Sequence, residues 1–96
     1  MPTATWNNTI IAEAPAGDIV TVEGNMYFPL AFIKPGILKA SEHTTVCGWK
    51  GTANYYDVVV DGKTNSDAAW YYATPKDAAK EIAGRVAFWK GIVCKV

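Results

Sequence analysis

The chain has little of what metal centres and phosphate sites are built from. Cysteine occurs twice, as Cys47 and Cys94, and histidine once, as His43. A structural zinc site needs about four such ligands, usually in close pairs, and there is no C-x-x-C. No metal and no cofactor are therefore expected. Neither G-x-x-x-x-G-K-[ST] nor G-x-G-x-x-G occurs, so no nucleotide phosphate is cradled in the usual way. Gly48, Lys50 and Gly51 lie close together, but they lead into a strand and not a helix. An excess of one charge is also missing: nine basic residues balance nine acidic ones. With no basic stripe, a nucleic-acid partner is not expected. No apolar run approaches the roughly 20 residues that cross a bilayer, so no membrane association is expected either. The N-terminal residues lack the basic and apolar segments of a secretory signal, and the expected location is cytoplasmic. There the two cysteines are expected as free, buried thiols and not as a disulfide.

What is present is apolar and aromatic. Half of the 96 residues are hydrophobic, with four Trp, five Tyr and three Phe. That supplies a core for one soluble domain spanning residues 1–96, as a monomer or a homodimer. "NTIIAEA" and "DIVTVEG", separated by "PAG", read as an N-terminal hairpin. "EGN" breaks the second strand before "MYFP", and "PLAF" reads as a single turn or short 3₁₀ segment. "KPGILKASEHTTV" carries a Pro-Gly turn and then a strand with an irregular polar middle. "ANYYDVVV" and "AAWYYA" are strand formers joined by "DGKTNSD", where Asp61-Gly62 suits a type I′ turn. "TPKDAAKEIAGR" predicts a helix with Thr74 as cap, Pro75 in first position and a buried stripe of Ala78, Ala79, Ile82 and Ala83. "RVAFWKGIVCKV" reads as a final strand, broken at Gly91. The fold class is mainly β: a compact curled antiparallel sheet or a β-tent-like barrel, with one short helix near the C-terminus.

Chemistry concentrates in "TTVCGWKGTANYYDVVVDG", residues 44–62. A nucleophilic Cys47 would need His43 as imidazole partner or Lys50 as a neighbour lowering its pKa. The simpler reading is a buried thiol before a strand, with His43 a solvated loop residue. Lys50 reads as a surface cation beside Trp49, and the sharper alternative is an anion-binding group. Asp57, Asp61 and Asp67 read as strand-edge and turn residues. If Asp61-Gly62 makes a two-residue turn and the ladder is unbroken, Tyr55 opposes Ala68, Ala53 opposes Trp70 and Gly51 opposes Tyr72. Tyr55, Asp57, Trp70 and Tyr72 then share one face. Tyr56, Val58, Val60 and Tyr71 share the other, which the stripe of Ala78, Ala79 and Ile82 is expected to cover. Large aromatics beside small Ala and Gly leave space above the first face. That face is the expected floor of a ligand site, with Tyr27 and Lys50 at its rim and Cys47 nearby.

The core pattern C-x-W-K-G-x-A-x-Y-Y, followed by "DAAWYYATPKDAAKEIAGRVAFW" and preceded by "VTVEGNMYFP", resembles the family known as domain of unknown function 427. The resemblance runs over nearly the whole chain. It implies a small β-rich fold without an established activity, although many members bear the name nucleotidyltransferase. It also implies a family pattern at Tyr27, Cys47, Lys50, Gly51, Tyr55, Trp70 and Tyr72. Nucleotidyl transfer needs a cluster of acidic metal ligands, and "DVVVD" spaces its acids four apart on a strand. The functional expectation is a small-molecule binding protein, catalytic or not. Its candidate contacts are Tyr27, Cys47, Lys50, Tyr55, Asp57, Trp70 and Tyr72. The alternative is a non-catalytic protein-interaction or structural module.

Overall fold

Tight left-handed turns organise the chain. The computed structural model describes residues 1–96 and contains nine strands: β1 (Thr3–Trp6), β2 (Thr9–Glu13), β3 (Val20–Val22), β4 (Asn25–Pro29), β5 (Leu38–Cys47), β6 (Gly51–Val60), β7 (Lys63–Tyr71), β8 (Arg85–Phe88) and β9 (Val93–Lys95). Three of the connections are two-residue hairpins with positive φ at both positions: Asn7-Asn8 (51° and 59°), Glu23-Gly24 (53° and 79°) and Asp61-Gly62 (50° and 77°). This is the type I′ pattern, whose twist matches that of the strands it joins. The expected turn at Asp61-Gly62 is therefore present.

The N-terminal pairing differs from expectation. β2 pairs with β1, and β3 pairs with β4, so "NTIIAEA" and "DIVTVEG" are not partners. The tight-turn residues lie at Asn7-Asn8 and Glu23-Gly24, while "PAG" leads into a 3₁₀ turn over Ala16–Asp18. "PLAF" does form a 3₁₀ turn, Leu30–Phe32. β5 shifts register between Ala40 and Thr44, in the polar stretch that looked irregular.

All pairings are antiparallel, in a six-stranded sheet of order β3-β4-β8-β7-β6-β5 and a three-stranded sheet of order β2-β1-β9. The larger sheet keeps two edges, β3 and β5, so the fold is an open sheet and not a closed barrel. The chain passes between sheets at Lys90-Gly91 (φ 54° and 85°), which explains the expected break in the last strand.

The larger sheet is buried on alternate residues to both sides. Phe28, Val58, Val60, Ala69, Val86 and Phe88 face one way, where they meet Ala4, Ile11 and Ala12 of the smaller sheet. Tyr27, Ala53, Tyr72 and Ala87 face the other, where they meet Ala79 and Ile82.

The expected helix is mostly absent. Only Asp77–Ile82 is helical, as a 3₁₀ segment kinked at Ala79 (φ −125°, ψ 20°). Lys76 precedes it in extended conformation without a side-chain cap, and Thr74 is exposed, so Thr74 caps nothing. The reason is a competing set of bonds. The Lys76 backbone N–H donates to the Lys50 carbonyl at 2.9 Å, and its Nζ donates to the Gly48 carbonyl at 2.8 Å. Lys76 is thereby held extended against the β5–β6 loop, and only a single tight turn or two can follow. Of the expected stripe, Ala79 and Ile82 are buried while Ala78 and Ala83 are exposed. The stripe covers the face of Tyr27 and Tyr72, opposite to the one expected. No helix is long and apolar enough to cross a membrane.

Candidate functional site

β4, β8 and β7 lie side by side, with Phe28 opposite Val86 and Trp70 opposite Ala87. Ala87 is thus the small residue between two large ones. Over it the Trp70 indole N–H donates to the Tyr27 hydroxyl at 3.1 Å, the two rings meeting edge to face at 6.3 Å between centroids. On the other side of β7, Tyr55 stands directly opposite Trp70. Trp89, just beyond β8, meets Trp70 edge to face at 5.9 Å. Together with Lys50 and Tyr72, three of these side chains (Tyr55, Trp70 and Trp89) line an open hollow of about 200 Å³.

Lys50 is the one charged residue in the buried part of the molecule, at 6% exposure. It is not the surface cation expected from its neighbours. It follows Gly48-Trp49 in the three-residue loop between Cys47 and Gly51, which pair across β5 and β6. Its ammonium donates to the Glu23 carboxylate at 2.5 Å, and Glu23 itself is about half exposed. The ammonium also lies 5.5 Å from the centre of the Trp49 ring and 5.4 Å from that of Tyr72, within cation–π range. Burial disfavours the charge. The Glu23 bond and the nearby Tyr27 and Tyr72 phenols more than offset this, so the Lys50 pKa lies well above the usual lysine value. Glu23 is lowered in turn, first by the hydrogen bond from Lys50 and then by its charge. Burial raises the Tyr72 phenol, and the Lys50 charge opposes part of that rise.

These shifts fix the protonation states. Lys50 stands as an ammonium and Tyr72 as a neutral phenol. The pair can hold an anion or a carbonyl oxygen, but Lys50 is not tuned as a free-amine nucleophile, which would need a lowered pKa.

The expected candidates are distributed as follows. Lys50, Tyr55, Trp70 and Tyr72 line the hollow. Tyr27 is fully buried and does not line it, so it does not form the expected rim, whereas Lys50 does line it. Cys47 is half-buried and packs against the same aromatic cluster without lining the hollow. Asp57 does not line the hollow; its carboxylate accepts the backbone N–H of Asp67 at 2.9 Å, at the distortion in β7. Cys94 is likewise a free thiol, on β9 of the smaller sheet, and burial raises its pKa.

Glu23 and Trp89 were not singled out from the sequence. One signal for Glu23 existed. It occupies the first position of a type I′ turn at φ 53°, a site that favours Asn, Asp or Gly, and it lies 27 residues from the lysine it neutralises. Trp89 reads as one more strand aromatic, because the turn that swings it over Trp70 follows from tertiary contacts. Its indole N–H donates to the Asp67 carbonyl at 2.6 Å.

No three His, Cys, Asp or Glu side chains converge in a way that could hold a metal ion. No curated protein matches the chain. Over residues 3–96 it matches the model of the family described as domain of unknown function DUF427, and the chain belongs to that family.

Proposed function

We propose that this β domain binds a small molecule in the hollow over Lys50, with Tyr55, Trp70, Tyr72 and Trp89 as its walls. The observation that carries the reading is the buried lysine. A fold of this size gains nothing in stability from a charge placed among aromatic rings, because burying an ion costs more than packing an apolar side chain there. The charge is nonetheless kept at the bottom of a concave surface and held by a carboxylate from a distant hairpin. A concavity walled by aromatic rings with a few convergent polar groups is the usual form of a small-ligand site. Two exposed tryptophans, Trp49 and Trp89, favour a second reading, in which the same surface takes an aromatic side chain of a protein partner.

Screening small aromatic fragments by two-dimensional NMR tests the proposal. Bound fragments should shift the signals of Tyr55, Trp70, Tyr72 and Trp89 together and saturably. Tyr55→Ala and Trp89→Ala should weaken those shifts while leaving the rest of the spectrum folded. Fragments that gather at another surface, or a screen with no saturable shifts at these residues, would remove the assignment.

A further inference from the structure

Three of the polar groups around the hollow are already engaged with other protein groups. The Trp70 N–H is given to Tyr27, the Trp89 N–H to the Asp67 carbonyl, and the Tyr55 hydroxyl is within 3.0 Å of the Thr45 hydroxyl. The walls therefore offer ring faces and edges. Lys50 differs. An ammonium has three N–H donors; the Glu23 carboxylate accepts one, and the Tyr72 hydroxyl is its other hydrogen-bonding neighbour. The rest of its charge is met by ring faces at more than 5 Å from their centres. A side chain more than nine-tenths buried thus keeps a third N–H donor beyond those facing Glu23 and Tyr72, and it lines the hollow.

The space limits what can fill it. An apolar cavity of about 150 Å³ accepts one benzene ring, and this hollow measures about 200 Å³. The edge-to-face pair Trp70–Trp89 suits a flat ring, whose own edges and faces meet these rings in the preferred geometry. Lys50 lines the hollow and its counter-ion Glu23 does not, so the charge nearest a guest is positive, which disfavours a cation despite the aromatic surroundings. Because Lys50 is held as an ammonium, the contact it offers is a charge-assisted hydrogen bond and not a covalent one.

We infer that the ligand is a small planar aromatic anion, with its carboxylate or enolate oxygen on the Lys50 ammonium and its ring against Trp70, Tyr72 and Trp89. This rests on the hollow being the ligand site. Lys50 then bridges two acceptors, the Glu23 carboxylate on the protein side and the ligand oxygen on the open side.

Three probes of similar size and different charge separate the cases: benzoate, benzamide and benzyltrimethylammonium, each titrated into the folded domain while the indole N–H signals of Trp70 and Trp89 are followed. Benzoate should shift both signals saturably and bind about tenfold or more tighter than benzamide, as expected for a hydrogen bond to a charged partner. Benzyltrimethylammonium should bind more weakly than either. In Lys50→Met the preference for benzoate over benzamide should disappear. Equal or tighter binding of benzamide or the cation at these signals would overturn the charge assignment while leaving the hollow as a ligand site. Absence of saturable shifts with all three would overturn both. The comparison of probes on the unaltered protein decides the matter even if Lys50→Met fails to fold.

Discussion

Tyr55 stands directly opposite Trp70 across β6 and β7, although an unbroken ladder from the Asp61-Gly62 turn would put Ala68 there. The ladder begins as expected, with Val60 opposite Lys63 and Val58 opposite Asn65, and resumes with Tyr56 opposite Ala69. β7 therefore carries two extra residues in this interval. A one-residue bulge would have sent every later side chain to the other face. Two restore the alternation, and this is why Tyr55, Trp70 and Tyr72 still share a face while each has a different partner.

The distortion is held by Asp57, which accepts the N–H of Asp67, and by Ser41, whose hydroxyl donates to the Asp67 carboxylate. Asp67 itself sits at φ 55°. Asp57→Ala should destabilise the domain by about 1–2 kcal/mol, because a partly buried N–H loses a charged acceptor, and should broaden the NMR signals of Tyr55 and Trp70. Asp57→Asn keeps an acceptor oxygen and should lose less. A urea midpoint unchanged in Asp57→Ala would mean that the bulge needs no such support.

The 3₁₀ segment gives a second contrast. Thr74 is exposed and makes no cap, so Thr74→Ala should shift stability by no more than about 0.5 kcal/mol. Ile82 is fully buried against Tyr27 and Tyr72, and Ile82→Ala should cost about 2–5 kcal/mol through lost burial and a cavity. Denaturation curves of the two variants, measured together, check both values.

These two cases mark what the sequence could tell. The face alternation of β6 and β7 follows from local periodicity and a strong turn dipeptide, so the shared face of Tyr55, Trp70 and Tyr72 was legible. The two-residue bulge was not, because it depends on Ser41, Asp57 and Asp67 meeting from three strands. "TPKDAAKEIAGR" has sound helix chemistry, which is overridden by backbone and side-chain bonds from Lys76 to the Gly48–Lys50 loop. Lys50 was singled out as a candidate, but its burial was hidden, since the carboxylate that neutralises it arrives from the β3–β4 hairpin. Local signals survive folding here where no distant partner competes for the same backbone.

Gly51 shows how closely that loop is held. Its φ is +110°, and a Cβ there would lie 3.4 Å from the Thr74 carbonyl oxygen and 3.7 Å from the Lys76 nitrogen. The conformation is one that side chains rarely adopt, and the neighbours are backbone. Gly51→Ala should cost about 1–3 kcal/mol and shift the NMR signals of Lys50 and Lys76 together. Gly17, where a Cβ meets nothing within 4 Å and φ is not positive, is the control, and Gly17→Ala should leave stability nearly unchanged. Equal effects at the two positions would refute the backbone strain at Gly51.

The ion pair between Lys50 and Glu23 sets the pH range over which this part of the fold is secure. Glu23 has its carboxyl held below its ordinary value of 4.5, first by the hydrogen bond from Lys50 and then by its charge. A depressed carboxyl stabilises the folded state above its unfolded pKa, and that contribution is lost as pH falls through the folded pKa. Lys50, for which burial works against the charge and Glu23 and the phenols outweigh it, is raised above 10.5. Its contribution is present below that value and is lost only as pH rises through the folded pKa. The pair therefore acts fully between about pH 4.5 and 10.5. Glu23→Gln leaves a buried ammonium without its counter-ion and should lower Tm at pH 7. The Tm gap between the unaltered protein and Glu23→Gln should then narrow as pH is lowered through 4.5 and below, since a protonated Glu23 and the glutamine that replaces it are both neutral. In the background of Lys50→Met the same substitution should have almost no effect at pH 7, because the charge it compensates is gone. A Tm gap that stays constant from pH 7 to pH 3, or one that persists in the Lys50→Met background, would show that Glu23 supports the turn by its backbone conformation and not the lysine by its charge.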